Sequence, residues 1–150
     1  MSSYLTFYAK SKDENSKPIP LVSYSRNNEI YQQFNDTVHP AYISNSDECQ
    51  YTKLTLEQVD SVIKEIESDL KKARVRLEEY NRHASGNMDM IEYIIEQKEC
   101  IEDLEYTLYR TKFIRELVSD TSYSWSNHEI LCNIDQYGNK KNYINSWNTR

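Results

Sequence analysis

Two glycines, at positions 86 and 138, are all that this 150-residue chain contains. A loop that cradles phosphate needs several, because the backbone must come close to the ligand and turn through positive φ. A P-loop or a Rossmann fingerprint is thereby excluded. The three histidines, His39, His83 and His128, stand in no HxH, HExxH or HxxxH spacing, so a local metal motif is absent. The Glu-x-x-His pair of a carboxylate metal site in a helix bundle is missing too. Cys49, Cys100 and Cys132 are far apart and odd in number. They suggest neither a disulfide framework nor a CxxC pair, and read as packed thiols. No apolar run approaches the roughly 20 residues of a membrane span. The opening MSSYLTFYAKSKDEN lacks the basic and apolar regions of a signal peptide. The expectation is a cytoplasmic protein with reduced thiols, no cofactor and no membrane attachment. Basic charge is also short: 18 Lys and Arg face 24 Asp and Glu, a net charge of −6. That balance disfavours direct binding to nucleic acid. It leaves room for an acidic protein that competes with nucleic acid for a basic partner.

What the chain has in quantity is charge at helical spacing, in enough residues for one domain with its own core. Thr55 followed by Gln58 is a capping box. After it, Leu56, Val59, Ile63, Ile66, Leu70, Ala73, Leu77, Tyr80 and Ala84 recur in alternating steps of three and four. This is a heptad seam without a miss, and it predicts a helix of about 28 residues, roughly 42 Å long. A second helix starts near Asn87 or Asp89. Its seam runs through Met90, Ile91, Ile94, Ile101, Leu104, Leu108 and Val118, with Gln97, Thr111 and Arg115 as interruptions. It ends near Ser119 and Asp120.

The segment RHASGNMD between them decides the topology. Glycine inside a continuous helix would cost about 1 kcal/mol against alanine, whereas Gly86 just past a helix end suits a left-handed capping position. Charge separates the two readings. Residues 57–69 carry −4, residues 71–82 carry +3, residues 89–105 carry −6 and residues 106–116 carry +2. A reversal at Gly86 sets each acidic block beside a basic one. It brings Leu70 near Ile101, Ile63 near Leu108 and Leu77 near Ile94, and places small Ala73 opposite Gln97 and Lys98. The reading is an antiparallel hairpin over residues 55–119, since charge pattern sets orientation better than it sets stability. Two chains exchanging helices would satisfy the same charges, so a homodimer is the competing form.

The flanks read as strands. YLTFYAK alternates Leu5, Phe7 and Ala9 with Tyr4, Thr6 and Tyr8; IPLVSYS follows a polar loop; NNEIYQQFND is a short helix capped by Asn27 or Asn28 and anchored by Ile30 and Phe34. Residues 36–54 read as irregular. HEILCNID places Ile130, Cys132 and Ile134 on one face, and KKNYINSW returns past the turn at Gly138. The fold class expected is α+β: a long, coiled-coil-like antiparallel helical hairpin, docked at its base on a small antiparallel sheet formed by N- and C-terminal β-hairpins. The whole of 1–150 is one domain, divided into 1–54, 55–119 and 120–150. Tyr106, Tyr109, Phe113 and Leu117 form a second apolar face, which with Val62 would dock the base (residues 55–65 and 106–118). Residues 75–96 would project.

Candidate sites are few. Ser25, Arg26, Asn27 and Asn28 sit where a strand hands over to a helix N-terminus, a place that can hold an anion or simply be capped by Asn. Arg82, His83, Glu92, Glu96, Glu99 and Glu102 gather at the projecting end as a partner surface. His83 also suits the helix C-terminus as a dipole partner. His128 and Cys132 are four apart, a spacing for a nucleophile pair or for a packed thiol. Thirteen tyrosines offer contact area, with Tyr4, Tyr8, Tyr24, Tyr137 and Tyr143 flanking the sheet. Three functions follow. The first is a non-enzymatic protein-binding module that occludes a partner through the hairpin arm or the tyrosine-rich sheet, with the acids of residues 92–105 steering it to a basic site. The second is a structural component that dimerises through the hairpin arm. The third is an enzyme with a dispersed site at Cys132 and His128 or around Arg26. In length, acidity and lack of catalytic motifs the chain resembles small accessory proteins of phages or mobile elements, inhibitors and immunity proteins among them. That likeness is one of type and rests on no motif.

Overall fold

The structure, a computed structural model, describes residues 3–13, 15–43, 50–84, 88–119 and 128–135. In chain order it has β1 (Tyr4–Ser11), β2 (Ile19–Ser25), α1 (Glu29–Val38), β3 (Ala41–Ile43), β4 (Thr52–Lys53), α2 (Leu56–Arg82), α3 (Met88–Val118) and β5 (His128–Asp135). The α+β class is as expected: two long helices packed together beside a small sheet drawn from both ends of the chain.

α2 begins at the capping box. Thr55 accepts from the Gln58 amide at 3.2 Å, and the Gln58 side chain accepts from the Thr55 amide at 2.9 Å. Every position of its seam turns inward, from Val59, Ile63 and Ile66 through Leu70 and Ala73, all buried, to half-buried Leu77, Tyr80 and Ala84. α3 runs back along it. Gln97 Nε2 donates to the Ala73 carbonyl at 3.0 Å, Arg74 meets Glu105 at 4.0 Å, and Arg115 Nε donates to Asp60 Oδ1 at 2.6 Å. The Tyr80 and Tyr93 rings lie 5.9 Å apart. As residue numbers fall on α2 they rise on α3, so the pair is antiparallel, and each of the two opposed pairs of charge blocks is joined by an ion pair. The reversal falls between Ala84 and Met88; Gly86 itself, and the Asn87 cap, lie outside the described residues. Gln97 breaks the apolar seam without breaking the packing. Its amide reaches across small Ala73 to a backbone carbonyl, so the buried polar group is satisfied.

β1 is central. It pairs antiparallel with β2 (Leu5 opposite Tyr24, Phe7 opposite Val22) and antiparallel with β5 (Phe7 opposite Cys132, Leu5 opposite Ile134). Leu5, Phe7 and Ala9 are fully buried on one face, next to Ile130, Cys132 and Ile134. Two features of the sheet differ from expectation. Residues 36–54 are not simply irregular: β3 and β4 lie within them, both pairing with β5. The sheet is therefore mixed, because β3 runs parallel to β5, with Ala41 opposite Asn133. These strands have three and two residues, too short to show a period of two in the sequence. What sets them is the end of α1, where His39 takes a left-handed conformation (φ 54°) that turns the chain back toward the sheet. The returning partner expected around residues 140–147, with Gly138, Tyr137 and Tyr143, lies outside the described residues.

α1 is capped by Asn28, whose Oδ1 accepts from the Ile30 amide at 3.1 Å. Its Ile30 and Phe34 are fully buried, and the Phe34 ring meets Phe7 edge-on at 5.1 Å. α1 also lies against the hairpin, where Gln33 Nε2 donates to Asp69 Oδ2 at 2.9 Å. The core thus fills the space between the sheet, α1 and the base half of the hairpin.

Candidate functional site

The docking face of α3 differs from the expected one. Leu117 is buried and Phe113 half-buried, but Tyr106 and Tyr109 are about half exposed. The buried positions are instead Thr107, Arg110, Thr111 and Ile114. The threonines need no outside partner, since Thr107 bonds the Asp103 carbonyl and Thr111 the Thr107 carbonyl, each at 2.7 Å. Arg110 enters the core as a cation held by aromatic hydroxyls. Its Nη1 donates to the Tyr24 hydroxyl at 3.0 Å and its Nη2 to the Tyr106 hydroxyl. The guanidinium carbon lies 5.3 Å from the Tyr24 ring centre and 4.4 Å from that of Tyr106, within cation–π range. Burial pushes the Tyr24 hydroxyl above its ordinary pKa, outweighing the opposing hydrogen bond and charge of Arg110. This group fixes α3 to β2. The i, i+4 spacing of Tyr106 and Arg110 was the available signal for it.

The turn at Ser25–Asn28 is used by the chain. The Arg26 amide donates to the Ser3 carbonyl at 3.0 Å and the Asn28 amide to the Ser25 carbonyl at 2.9 Å. Asn28 caps α1, and the Arg26 carbonyl accepts from Gln32 Nε2 at 2.8 Å. Ser25, Arg26 and Asn27 are exposed. Cys132 is fully buried and its thiol is pushed up to about 12 by burial. His128 stands four residues away on the same strand, about 13 Å at 3.3 Å per residue. The structure does not bring these two together for proton transfer. Cys100 is exposed, and its thiol is raised, first by partial burial and then by Glu29 and other acids nearby. His83 caps α2, its amide bonding the Glu79 and Tyr80 carbonyls at 3.2 Å. Among the described residues no group of three or more His, Cys, Asp or Glu side chains is placed to hold a metal ion, and no helix is long and apolar enough to cross a membrane.

The residues proposed from sequence as a partner surface do share one end of the molecule. Arg82, His83, Glu92, Glu96, Glu99 and Glu102 are all exposed on the tip half of the hairpin. Among the described residues, no ion pair engages Glu92, Glu96, Glu99 or Glu102. Sequence reasoning did not single out Met88, Tyr93 or Ile95, and it placed Ile91 in the seam, from which the structure turns it away. Met88 is 77% exposed, Tyr93 53%, Ile95 52% and Ile91 45%. Farther along the arm, a groove of about 620 Å³ lies between α2 and α3, with Leu70, Val75, Leu108 and Tyr109 among its lining and charged side chains at its rims. Comparison of the chain with protein-family models, with curated proteins and with solved structures finds no match.

Proposed function

We propose that this chain is a non-enzymatic protein-binding module, a small acidic inhibitor in type, whose projecting hairpin tip occludes a basic site on another protein. One observation carries the reading. Four large apolar side chains within residues 88–95 are about half exposed or more, on a helix whose Glu92, Glu96, Glu99 and Glu102 form no ion pair among the described residues. Large exposed apolar groups that cluster, flanked by charge, mark recognition surfaces, whereas scattered ones need no explanation. The tip contributes little to the core, so its residues are available for a surface outside the molecule. The acids would attract a basic site and speed encounter at low salt.

Capture from the native host tests this. Wild-type chain and an Ile91→Ser/Ile95→Ser variant of unchanged helical content are used as bait, and the retained proteins are identified by mass spectrometry. A partner held by the wild type and lost by the variant is expected. Once that partner is purified, Glu92→Lys/Glu96→Lys/Glu99→Lys should slow association by about tenfold or more at low salt. Identical capture by both baits refutes the reading.

A further inference from the structure

We infer that the hairpin arm is built to open, and that it opens at one joint, where Gln97 of α3 meets Ala73 of α2. Tip-ward of that joint the two helices part as a unit; base-ward of it they stay packed. The inference concerns the arm alone and does not depend on a partner.

Three observations place the joint. First, the buried contacts end there. Ala73 is 5% exposed and Gln97 8%. Among the described residues, neither α2 from Arg74 onward nor α3 before Gln97 has a buried residue. Leu77, Tyr80 and Ile94 are only half-buried, and the last ring contact is that of Tyr80 with Tyr93. Second, the joint returns little apolar area to water when it parts. From Val59 to Leu77 the α2 seam carries Val, Ile or Leu at every position but Ala73, and Gln97 stands between Ile94 and Ile101 on α3. The cost of opening a seam follows the apolar surface uncovered, so alanine against glutamine is its weakest step.

Third, the bond that closes the joint is exchangeable for water. Gln97 Nε2 donates to the Ala73 carbonyl at 3.0 Å. That carbonyl lies inside α2, where the helix gives it the Leu77 amide as a partner as well. On opening, the carbonyl keeps that partner and the Gln97 amide bonds water, so no polar group is left unsatisfied. Thr111, which also interrupts the seam, cannot serve this way, because its hydroxyl is turned to the Thr107 carbonyl of its own helix. Once parted, the end of α2 beyond Ala73 and the end of α3 before Gln97 are each shorter than the roughly 12 residues that an isolated helix needs in water, so both melt. Opening brings Leu77, Tyr80 and Ile94 out beside Met88, Ile91 and Ile95, which are exposed already or nearly so in the closed arm. The closed arm thus holds back part of its apolar surface.

The test is native-state hydrogen exchange of the full chain, read amide by amide by NMR, in wild type and in Gln97→Met, which keeps the side-chain length and removes the amide. In wild type, residues 77–82 and 92–96 should share one protection factor, about tenfold or more below that of residues 62–70 and 104–114, with a step between Leu70 and Leu77. In Gln97→Met the protection of the tip should rise by about fivefold or more, because an apolar side chain now resists the opening, while β1 and β5 are unchanged. A bond that only clasps the arm would act in the opposite direction. Lower or unchanged tip protection in Gln97→Met therefore overturns the inference. A smooth gradient from the tip in wild type, with no step, overturns it too, and that measurement stands even where the variant fails to fold.

Discussion

Shortening Leu70 and Leu77 to alanine, one at a time, measures where the hairpin stops belonging to the core. Both sit on the same α2 seam, one heptad apart, and both are leucine, so the chemistry removed is identical. Leu70 is 3% exposed and packed in the core, whereas Leu77 is only half-buried against it. Leu70→Ala loses the whole transfer term and leaves a cavity, about 3 kcal/mol. Leu77→Ala loses roughly half of a leucine's burial, about 1 kcal/mol, and water fills the space. With a urea dependence of about 1.5 kcal/mol per molar, the midpoints should drop by about 2 M and about 0.7 M. Native-state hydrogen exchange gives an independent reading. Amides near Leu77 and Ile94 should exchange through openings that leave the amides of β1 and β5 protected. Equal destabilisation by the two substitutions would show that the tip is as much a part of the core as the base. The exposed side chains at residues 88–95 would then belong to a rigid structural end, and the physical ground for a partner at the tip would be gone.

Three further outcomes follow from the packing. Tyr24→Phe should cost about 2 kcal/mol in urea denaturation, because it removes a hydrogen bond to a buried cation, and a change within about 0.5 kcal/mol would mean that Arg110 is held in other ways. The raised pKa of Tyr24 also predicts alkaline loss: below pH of about 10 both states keep the proton, and above it the unfolded state ionises first, so stability falls as pH rises toward the folded-state value. That fall should be smaller in Tyr24→Phe, as followed by thermal melts from pH 9 to 11. Iodoacetamide at pH 8 should label Cys100, more slowly than a free thiol, and leave Cys132 unmodified until the chain is unfolded, since the thiolate is the reactive form; labelling of native Cys132, read by peptide mass, would contradict its burial. Thr55→Ala should lower stability by about 1 kcal/mol through loss of the capping box, and an unchanged urea midpoint would show that α2 does not depend on its cap.

The parts of this fold that were legible in the sequence are those set by local period and by charge. The α2 seam turned inward at every position, because a three-four spacing held over four heptads leaves one face for burial. The opposed charge blocks gave the direction of α3, and Arg74–Glu105 and Arg115–Asp60 are where they meet. Alternation placed Leu5, Phe7 and Ala9 on the inner face of β1. The parts that were not legible depend on contacts distant in sequence. β3 and β4 are held by β5, some 80 to 90 residues later, and nothing within Ala41–Ile43 or Thr52–Lys53 announces the pairing. Arg110 entered the sequence reading only as part of the basic block 106–116, because charge is ordinarily outside. It is inside because Tyr24, on a strand far earlier in the chain, supplies a hydroxyl and a ring. The exposure of Glu92, Glu96, Glu99 and Glu102 was legible from their charge, whereas Ile91 was read as a seam residue and is 45% exposed, because α2 covers only one side of α3.

That partial cover follows from the geometry of α3 itself. At 100° per residue, Glu92 and Glu99 near the tip share a helical face with Arg110 and Leu117 near the base. Near the base this face meets the sheet, and its residues are a cation held by two tyrosine hydroxyls and an apolar side chain. Near the tip none of the described chain covers it, and it carries acid. Along this face the change falls between Tyr106, about half exposed, and Arg110, which is buried. A helix serving only the fold would become polar all round the uncovered part except along its seam. α3 does not: it keeps Met88, Ile91, Tyr93 and Ile95 in water at the tip, where each leaves apolar area exposed that a polar residue would not. The adjoining acids oppose self-association by like charge. An apolar row that favours contact, beside acid that disfavours contact between like-charged faces, is the ground of the proposal that the tip meets a basic partner.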